Sequence, residues 1–382
     1  MILLNKGVAK KKLTMKYDIV IIGAGVVGCA IARELSLRYP DKKIVVLEKL
    51  SNSGMETSQF NSGVLHTGLH QKPGSLKARL SFRGNQLAVK YCQSKKLPIL
   101  HTGMMVVISL EAIRSGLYKE VWSLFELIKR GRAQGIKFKF LSPIGIRALE
   151  PNIRGLGGIF IPAVWVINPL IFTRQLWADA KKNGAQFFFD NPVNNIELIS
   201  GGYRIQTLNM GVETKMIINA AGLYADKISR LAGYYGYEIY PWRGEYYKII
   251  GKPAGFMKRL IYPAIPASSP GKGIHFSPRV NGDLFIGPNT RPVPSKNYYT
   301  ENKTPKEDFL KAVQKFCPSL KPENLEWAYS GIRAKITNNP GEHDFIIQMD
   351  RKSPPLINLI GIESPGLSSS MAIAEYVADL IK

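Results

Sequence analysis

Apolar residues crowd positions 17–22, where only Asp18 interrupts Tyr17, Ile19, Val20, Ile21 and Ile22, and the run then breaks on glycine. From 26 to 39 the apolar positions Val27, Ala30, Ile31 and Leu35 fall at helical spacing, and residues 44–47 form a second short apolar run. Such a sequence predicts a strand, a helix and a parallel strand. Residues 51–62 are polar and rich in turn formers, and 72–97 reads as a helix through Leu76, Leu80, Leu87 and Tyr91. A strand is expected at 103–110 and an amphipathic helix at 118–135, whose apolar face is read as core packing. Further on, a helix at 167–184 precedes strands at 185–189 and 203–208. The strand at 215–219 runs into Ala220-Ala221-Gly222, and its small residues suit a return to the first sheet. Between 240 and 288 the pattern changes to alternation with turn residues, and strands at 246–250, 274–278 and 284–287 predict an antiparallel sheet. A helix at 305–316, a strand at 357–362, the turn Glu363-Ser364-Pro365-Gly366 and a helix at 368–381 close the chain, without an internal repeat.

The first break carries chemistry. Gly23-Ala24-Gly25-Val26-Val27-Gly28 joins the first strand to its helix, and Glu48 ends the second strand about twenty residues later. The first glycine of this pattern permits a tight turn, the second a close approach of backbone to a pyrophosphate, and the third close packing of helix on strand. Phosphate then meets the positive end of a helix. Glu48 suits a ribose diol and repels a 2′-phosphate, which argues against NADP. A lipoprotein export signal competes for the same residues, through Lys10 to Lys12 and Cys29, but Asp18 and the spacing to Glu48 argue against it.

With 382 residues the chain exceeds one ordinary core. The expected division is a basic tail at 1–15, a discontinuous dinucleotide domain of 16–98, 155–235 and 335–382, and a substrate domain of 99–154 and 236–334. Met15 is an alternative start. No apolar stretch reaches the roughly 18 residues of a membrane span. Cys29, Cys92 and Cys317 have neither CxxC spacing nor even number, which argues against disulfides and zinc and for a reducing cytoplasm; no metal site is expected. The net charge of +24, from 52 basic and 28 acidic side chains, is the compositional outlier. Its lysines are scattered apart from a cluster at 6–16, and no nucleic-acid motif accompanies them. A cytoplasmic protein with a solvated basic surface is expected, with weak peripheral contact to the inner face of the cell membrane compatible with the charge.

Asp18 to Gly23, Glu48-Lys49, Asn61-Ser62-Gly63-Val64-Leu65-His66-Thr67-Gly68 and Pro73 to Ala78 together resemble the D-amino-acid-oxidase-type FAD flavoproteins. Arg243-Gly244-Glu245-Tyr246-Tyr247, Gly273 to Phe276, Gly331-Ile332-Arg333 and Gly361 to Leu367 extend the resemblance, which is greatest to the L-2-hydroxyglutarate dehydrogenase and oxidase branch and covers roughly residue 16 to the end. Phe60 departs from it, since that branch carries histidine there. The resemblance implies an α/β architecture, a Rossmann-like FAD-binding domain with an inserted α+β substrate domain carrying a largely antiparallel sheet. FAD would be held by Gly23, Gly25, Gly28, Glu48 and Lys49 at the adenosine and pyrophosphate, and by Asn61, Ser62, Gly63, Leu65, His66 and Gly222 further along. Pro365, Gly366, Leu367 and Ser368 would present N–H groups to the flavin pyrimidine, where reduced flavin is anionic.

The expected activity is oxidation of a 2-hydroxy acid, L-2-hydroxyglutarate first, by hydride transfer to flavin N5. This chemistry needs a base for the hydroxyl proton and cations for the carboxylates. His66 and His275 are the candidate bases, whereas His101 and His343 are read as structural. Arg243 and Arg333 are the candidate carboxylate anchors, with Lys335 and Tyr246 as secondary partners. An amine or amino-acid oxidase, a glycerol-3-phosphate dehydrogenase-like enzyme and a non-enzymatic nucleic-acid or membrane-surface binder remain as alternatives. Oxygen, a membrane quinone and a soluble flavoprotein are all compatible electron acceptors.

Overall fold

A computed structural model describes residues 14–381 apart from 267, 268, 270, 340 and 342. The basic tail therefore lies almost wholly outside the described residues. Its last two residues do not: the first strand is Thr14–Ile22, and Thr14 and Met15 pair with Gly211 and Val212. In the first sheet this strand lies between Ile44–Leu47 and Gly211–Asn219, parallel to both. Gln186–Phe188 adds a parallel edge strand beyond Ile44–Leu47. On the other side Pro355–Ile360 joins Gly211–Asn219 in parallel, so the end of the chain returns to the opening fold. Registers Ile22↔Leu47 and Ile22↔Asn219 bring the carboxyl ends of the three central strands level, where open α/β sheets hold ligands.

Val26–Arg38, Leu76–Ser94, Pro169–Lys182 and Gly366–Leu380 cover one face of this sheet. Leu35, Ile31 and Ile373 are fully buried there, each contributing about 1.5–3 kcal/mol. The antiparallel pair Val193–Ile199 and Gly202–Thr207 extends the same sheet from the first half of Gly211–Asn219, and its apolar residues pack with the short helix Ala225–Leu231 against the sheet's opposite face.

The second sheet is largely antiparallel, built on the long pair Tyr240–Ile249 and Leu325–Lys335 and continued through Leu284–Gly287, His275–Pro278 and Leu260–Pro263. One junction, Leu260–Pro263 on Met104–Ile108, is parallel. Gly157–Ile161, placed by its sequence in the first domain, instead pairs with Met104–Ile108 and Lys139–Leu141 in this sheet. A Cβ on Gly158 would stand 2.2 Å from the Val106 carbonyl oxygen, so the missing side chain at Gly158 is what lets the strand close on its neighbour.

Candidate active site

One groove runs between the sheets, its two halves meeting at Gly25, Thr57, Ser58, Ala220, Gly222 and Leu223. The half beside the first sheet is made largely of backbone. Gly23 has φ +106°, and a Cβ there would stand 2.6 Å from the Ala220 carbonyl oxygen; on Gly28 it would stand 1.9 Å from that of Gly23. Gly28 thus packs behind the turn, whereas Gly23, Gly25, Glu48 and Lys49 line the groove. No side chain caps the helix Val26–Arg38, though the Ser58 hydroxyl accepts from the Val26 N–H at 2.9 Å. Glu48 is held by the Ala24 and Leu50 N–H groups at 2.7 and 2.9 Å. Burial raises its pKa against those donors. Lys49 sits over the Tyr224 ring and pairs with Glu56 at 2.7 Å. Gly222, at φ +54°, has no neighbour within 4 Å of where a Cβ would point.

The other half is lined by side chains from separated segments, among them His66, Tyr246, Tyr262, Lys272, His275 and Arg333. Its imidazoles are neutral. Burial, then Lys272, His70, His275 and Arg333, hold His66 well below its ordinary pKa. Burial lowers His275 to about 3, opposed by Gly273 and reinforced by Lys272, Arg333 and Arg279. His275 Nδ1 lies 2.9 Å from the Gly273 carbonyl, which can only accept, so Nδ1 carries the hydrogen and Nε2 the lone pair. That Nε2 is buried without a partner, as are His66 Nδ1 and the Tyr262 hydroxyl. The Tyr262 ring stacks on His275 at 3.8 Å and meets His66 edge-on. Burial, then Arg333 and Lys77, lower the Lys272 ammonium to about 7, with Glu363 opposing. Burial works against the charge of Glu363 too, but Lys77, at 3.0 Å, with Lys335 and Arg333 holds it below its ordinary value.

The expected residues divide. Asn61, Ser62, His66, Gly222, Tyr246, His275, Arg333, Pro365, Gly366 and Leu367 line this half. Arg243 does not. It is fully buried, bonded to the carbonyls of Tyr298, Tyr299, Glu301 and Asn302 and paired with Glu245 at 3.1 Å. Its donors are spent on a loop, which corrects its reading as a substrate anchor. Leu65 belongs to the helix-covered core, and Gly63, at φ +67°, allows close approach to the Ile167 carbonyl. Pro365 has no N–H to offer, and that of Gly366 goes to the Glu363 carbonyl, so the expected donor row shortens to Leu367 and Ser368. The Ser368 hydroxyl meanwhile accepts from the His66 N–H at 2.8 Å and fixes that strand. Lys335 lies over the Trp242 ring, on an outer cavity that shares Lys272, Arg333, Glu363 and Ser364 with the groove. His101 stacks on Trp165 outside the groove.

Sequence reasoning missed Lys272, Tyr262 and Glu363. Lys272 sits in the turn-rich run Pro270-Gly271-Lys272-Gly273, directly before the block Gly273 to Phe276 that carries His275, and that proximity was the available signal. Phe60, the departure from the resembling branch, lines the groove with its ring 6.2 Å from Tyr329.

Comparison with known proteins gives this geometry a context. The profile of the family described as FAD dependent oxidoreductase matches residues 18–380. A glycerol 3-phosphate dehydrogenase of Caloramator mitchellensis is 35% identical over 372 residues, which cover 96% of this chain and 74% of that protein. The mitochondrial L-2-hydroxyglutarate dehydrogenase of Caenorhabditis elegans is 30% identical, with 97% of this chain and 94% of the relative covered. Among solved structures, the dithionite-reduced L-alpha-glycerophosphate oxidase from Mycoplasma pneumoniae with FAD bound superposes with a TM-score of 0.86 at 29% identity, covering 96% of this chain and 95% of the other.

Proposed function

This chain belongs to the FAD dependent oxidoreductase family, and we propose that it oxidises the secondary alcohol of a small polyol monophosphate, glycerol 3-phosphate. FAD is the cofactor, and the groove fits it. Its backbone half offers a helix start whose N-cap residue, Gly25, supplies no side chain, and a carboxylate at the end of the second strand, and its other half holds orphaned buried polar atoms on His66, His275 and Tyr262. In this reading Gly23, Gly25, Glu48 and Lys49 hold the adenosine and pyrophosphate, Asn61, Ser62 and Gly222 flank the middle, and Leu367 and Ser368 meet the pyrimidine. When bound, FAD supplies the hydride acceptor.

One observation carries the choice of substrate: the groove's cations Lys272 and Arg333 stand together at the mouth of the outer cavity, while Arg243 is spent on a loop. A dicarboxylate asks for two separated anchors, whereas a phosphate dianion is met by one cluster, with the Arg333 fork taking two oxygens and Lys272 acting as a point charge. The hydroxyl proton passes to His275 Nε2, whose lone pair is fixed by the bond at Nδ1. Burial is the main cause of the low basicity of His275, and an anion beside Lys272 and Arg333 offsets the two charges that add to it, which raises that basicity. Tyr246 and Tyr262 wall this end against water. Relatives named L-2-hydroxyglutarate dehydrogenase, alike over nearly the full chain, support oxidation of that hydroxy acid as a second reading.

Anaerobic mixing of the yellow protein with glycerol 3-phosphate, L-2-hydroxyglutarate, D-2-hydroxyglutarate, lactate and glycine tests both. Rapid loss of flavin absorbance with glycerol 3-phosphate is expected. Bleaching by L-2-hydroxyglutarate alone overturns the phosphate reading, and bleaching by glycine alone overturns alcohol oxidation altogether.

A further inference from the structure

We propose that the helix Leu117–Ala133 is a docking element that seats the protein on a bilayer surface carrying anionic headgroups. The sequence predicts this helix as amphipathic with its apolar face in the core, and one face is there: Leu124, Leu127 and Gly131 are buried. A second apolar face points the other way. Tyr118 (71% exposed), Val121, Trp122 (64%) and Phe125 (52%) recur at i, i+3, i+4 and i+7, which makes one stripe along the helix. Leu110, Ile113 and Leu117 continue it at the amino end, so that seven of the fifteen large apolar side chains exposed among the described residues fall within 110–125. Phe138 packs beside Gly131, and Phe140, also exposed, meets Phe138 at 5.7 Å. Isolated exposed apolar residues need no explanation, but a concentration led by Trp, Tyr and Phe does.

Charge selects the occupant. On the helical wheel Lys129 and Arg132 continue the exposed stripe toward the carboxyl end, and Lys119, Lys137 and Lys139 are exposed nearby in sequence. The neighbouring acids are largely engaged: Glu111 pairs with Lys315 at 3.6 Å, and Glu120 accepts from the Ser109 N–H and hydroxyl at 2.7 and 2.8 Å. Glu126 is half-buried on the same helix. An apolar stripe of interfacial aromatics with a basic end matches a helix lying in the headgroup plane of an anionic bilayer. A second copy of this chain would bring the same cations face to face in a twofold interface. Spanning is not involved, because no described helix is long and apolar enough to cross a membrane. The inference is independent of the substrate.

The test is co-sedimentation of the full-length, FAD-loaded protein with vesicles of phosphatidylcholine alone or mixed with phosphatidylglycerol, at low and high salt. Binding to the mixed vesicles that fades with salt is expected. Trp122→Glu with Phe125→Glu should weaken it about a hundredfold or more, and Lys129→Gln with Arg132→Gln roughly thirtyfold, from about 1 kcal/mol for each cation. Flavin content and Tm should be unchanged in both. Vesicle binding by the Trp122/Phe125 variant equal to that of the unaltered chain overturns the proposal. So does a dimer that this variant dissociates while the unaltered chain ignores vesicles, which assigns the face to a second copy.

Discussion

The groove is built by two methods. At the nucleotide end the determinants lie mostly within one stretch of sequence, and most of them are backbone: a left-handed Gly23, a Gly28 with no room for a Cβ, and N–H groups held by Glu48 and Ser58. At the reacting end His66, Tyr246, Tyr262, Lys272, His275 and Arg333 arrive from distant segments, and the chemistry resides in side chains. A backbone-built site changes little when one functional group is altered, provided the chain path survives. A side-chain site concentrates its function in a few atoms, so single substitutions there should be severe and separable from stability.

Arg333 and Arg243 give the most demanding test of that difference. Both lie on the same pair of antiparallel strands, where Trp242 pairs with Arg333 and Arg243 with Ile332, so the alternation of side chains sends the arginines to opposite faces. Arg333→Ala should lower kcat/KM about a thousandfold, with flavin absorbance and Tm retained. Arg243→Ala leaves the buried Glu245 with only the longer ionic contact to Arg291 at 3.7 Å and removes the donors that hold the 298–302 loop, and should cost about 3 kcal/mol of stability, while the folded fraction keeps its KM. Steady-state kinetics and thermal denaturation of the two variants decide the matter; an exchange of the two outcomes would reverse the assignment of the anchors.

What could be read in advance follows the same division. The strand, glycine turn, helix and Glu48 were legible because local sequence determines local backbone there. His66, His275 and Arg333 were found through short blocks of residues. Separating Arg333 from Arg243 required the strand register and the loop at 298–302 that consumes Arg243, neither of which is a local property. Lys272 escaped because a lysine between glycines reads as solvated surface, and only the fold buries it beside Arg333 and Lys77. The outward face of Leu117–Ala133 was hidden for the opposite reason, since apolar periodicity alone does not say which of two stripes meets the core.

Lys272 also sharpens the comparison through pH. With its pKa at about 7 it is cationic below that value and neutral above it. A phosphomonoester completes its second ionisation near pH 6, so above neutrality the enzyme's titration dominates. In the free enzyme, kcat/KM should therefore fall up to about tenfold per pH unit above 7, mainly through KM. Lys272→Arg keeps a cation at every working pH and should flatten that limb. A decline that survives in the arginine variant would assign it to another group.

The smallest effect is expected at the nucleotide end. Glu48→Gln preserves the length of the side chain but replaces one acceptor oxygen by a donor, so only one of the Ala24 and Leu50 N–H groups keeps its partner. Losing a bond of this kind costs about 1 kcal/mol, which weakens FAD binding roughly fivefold. Fluorescence titration of the flavin-stripped protein measures that change. Because the hydride acceptor and the side chains around the substrate are untouched, turnover at saturating FAD should equal that of the unaltered chain. A variant that binds FAD normally yet turns over slowly would mean that Glu48 governs the reacting end through the turn it braces, and the two halves of the groove would then have to be treated as one mechanical unit.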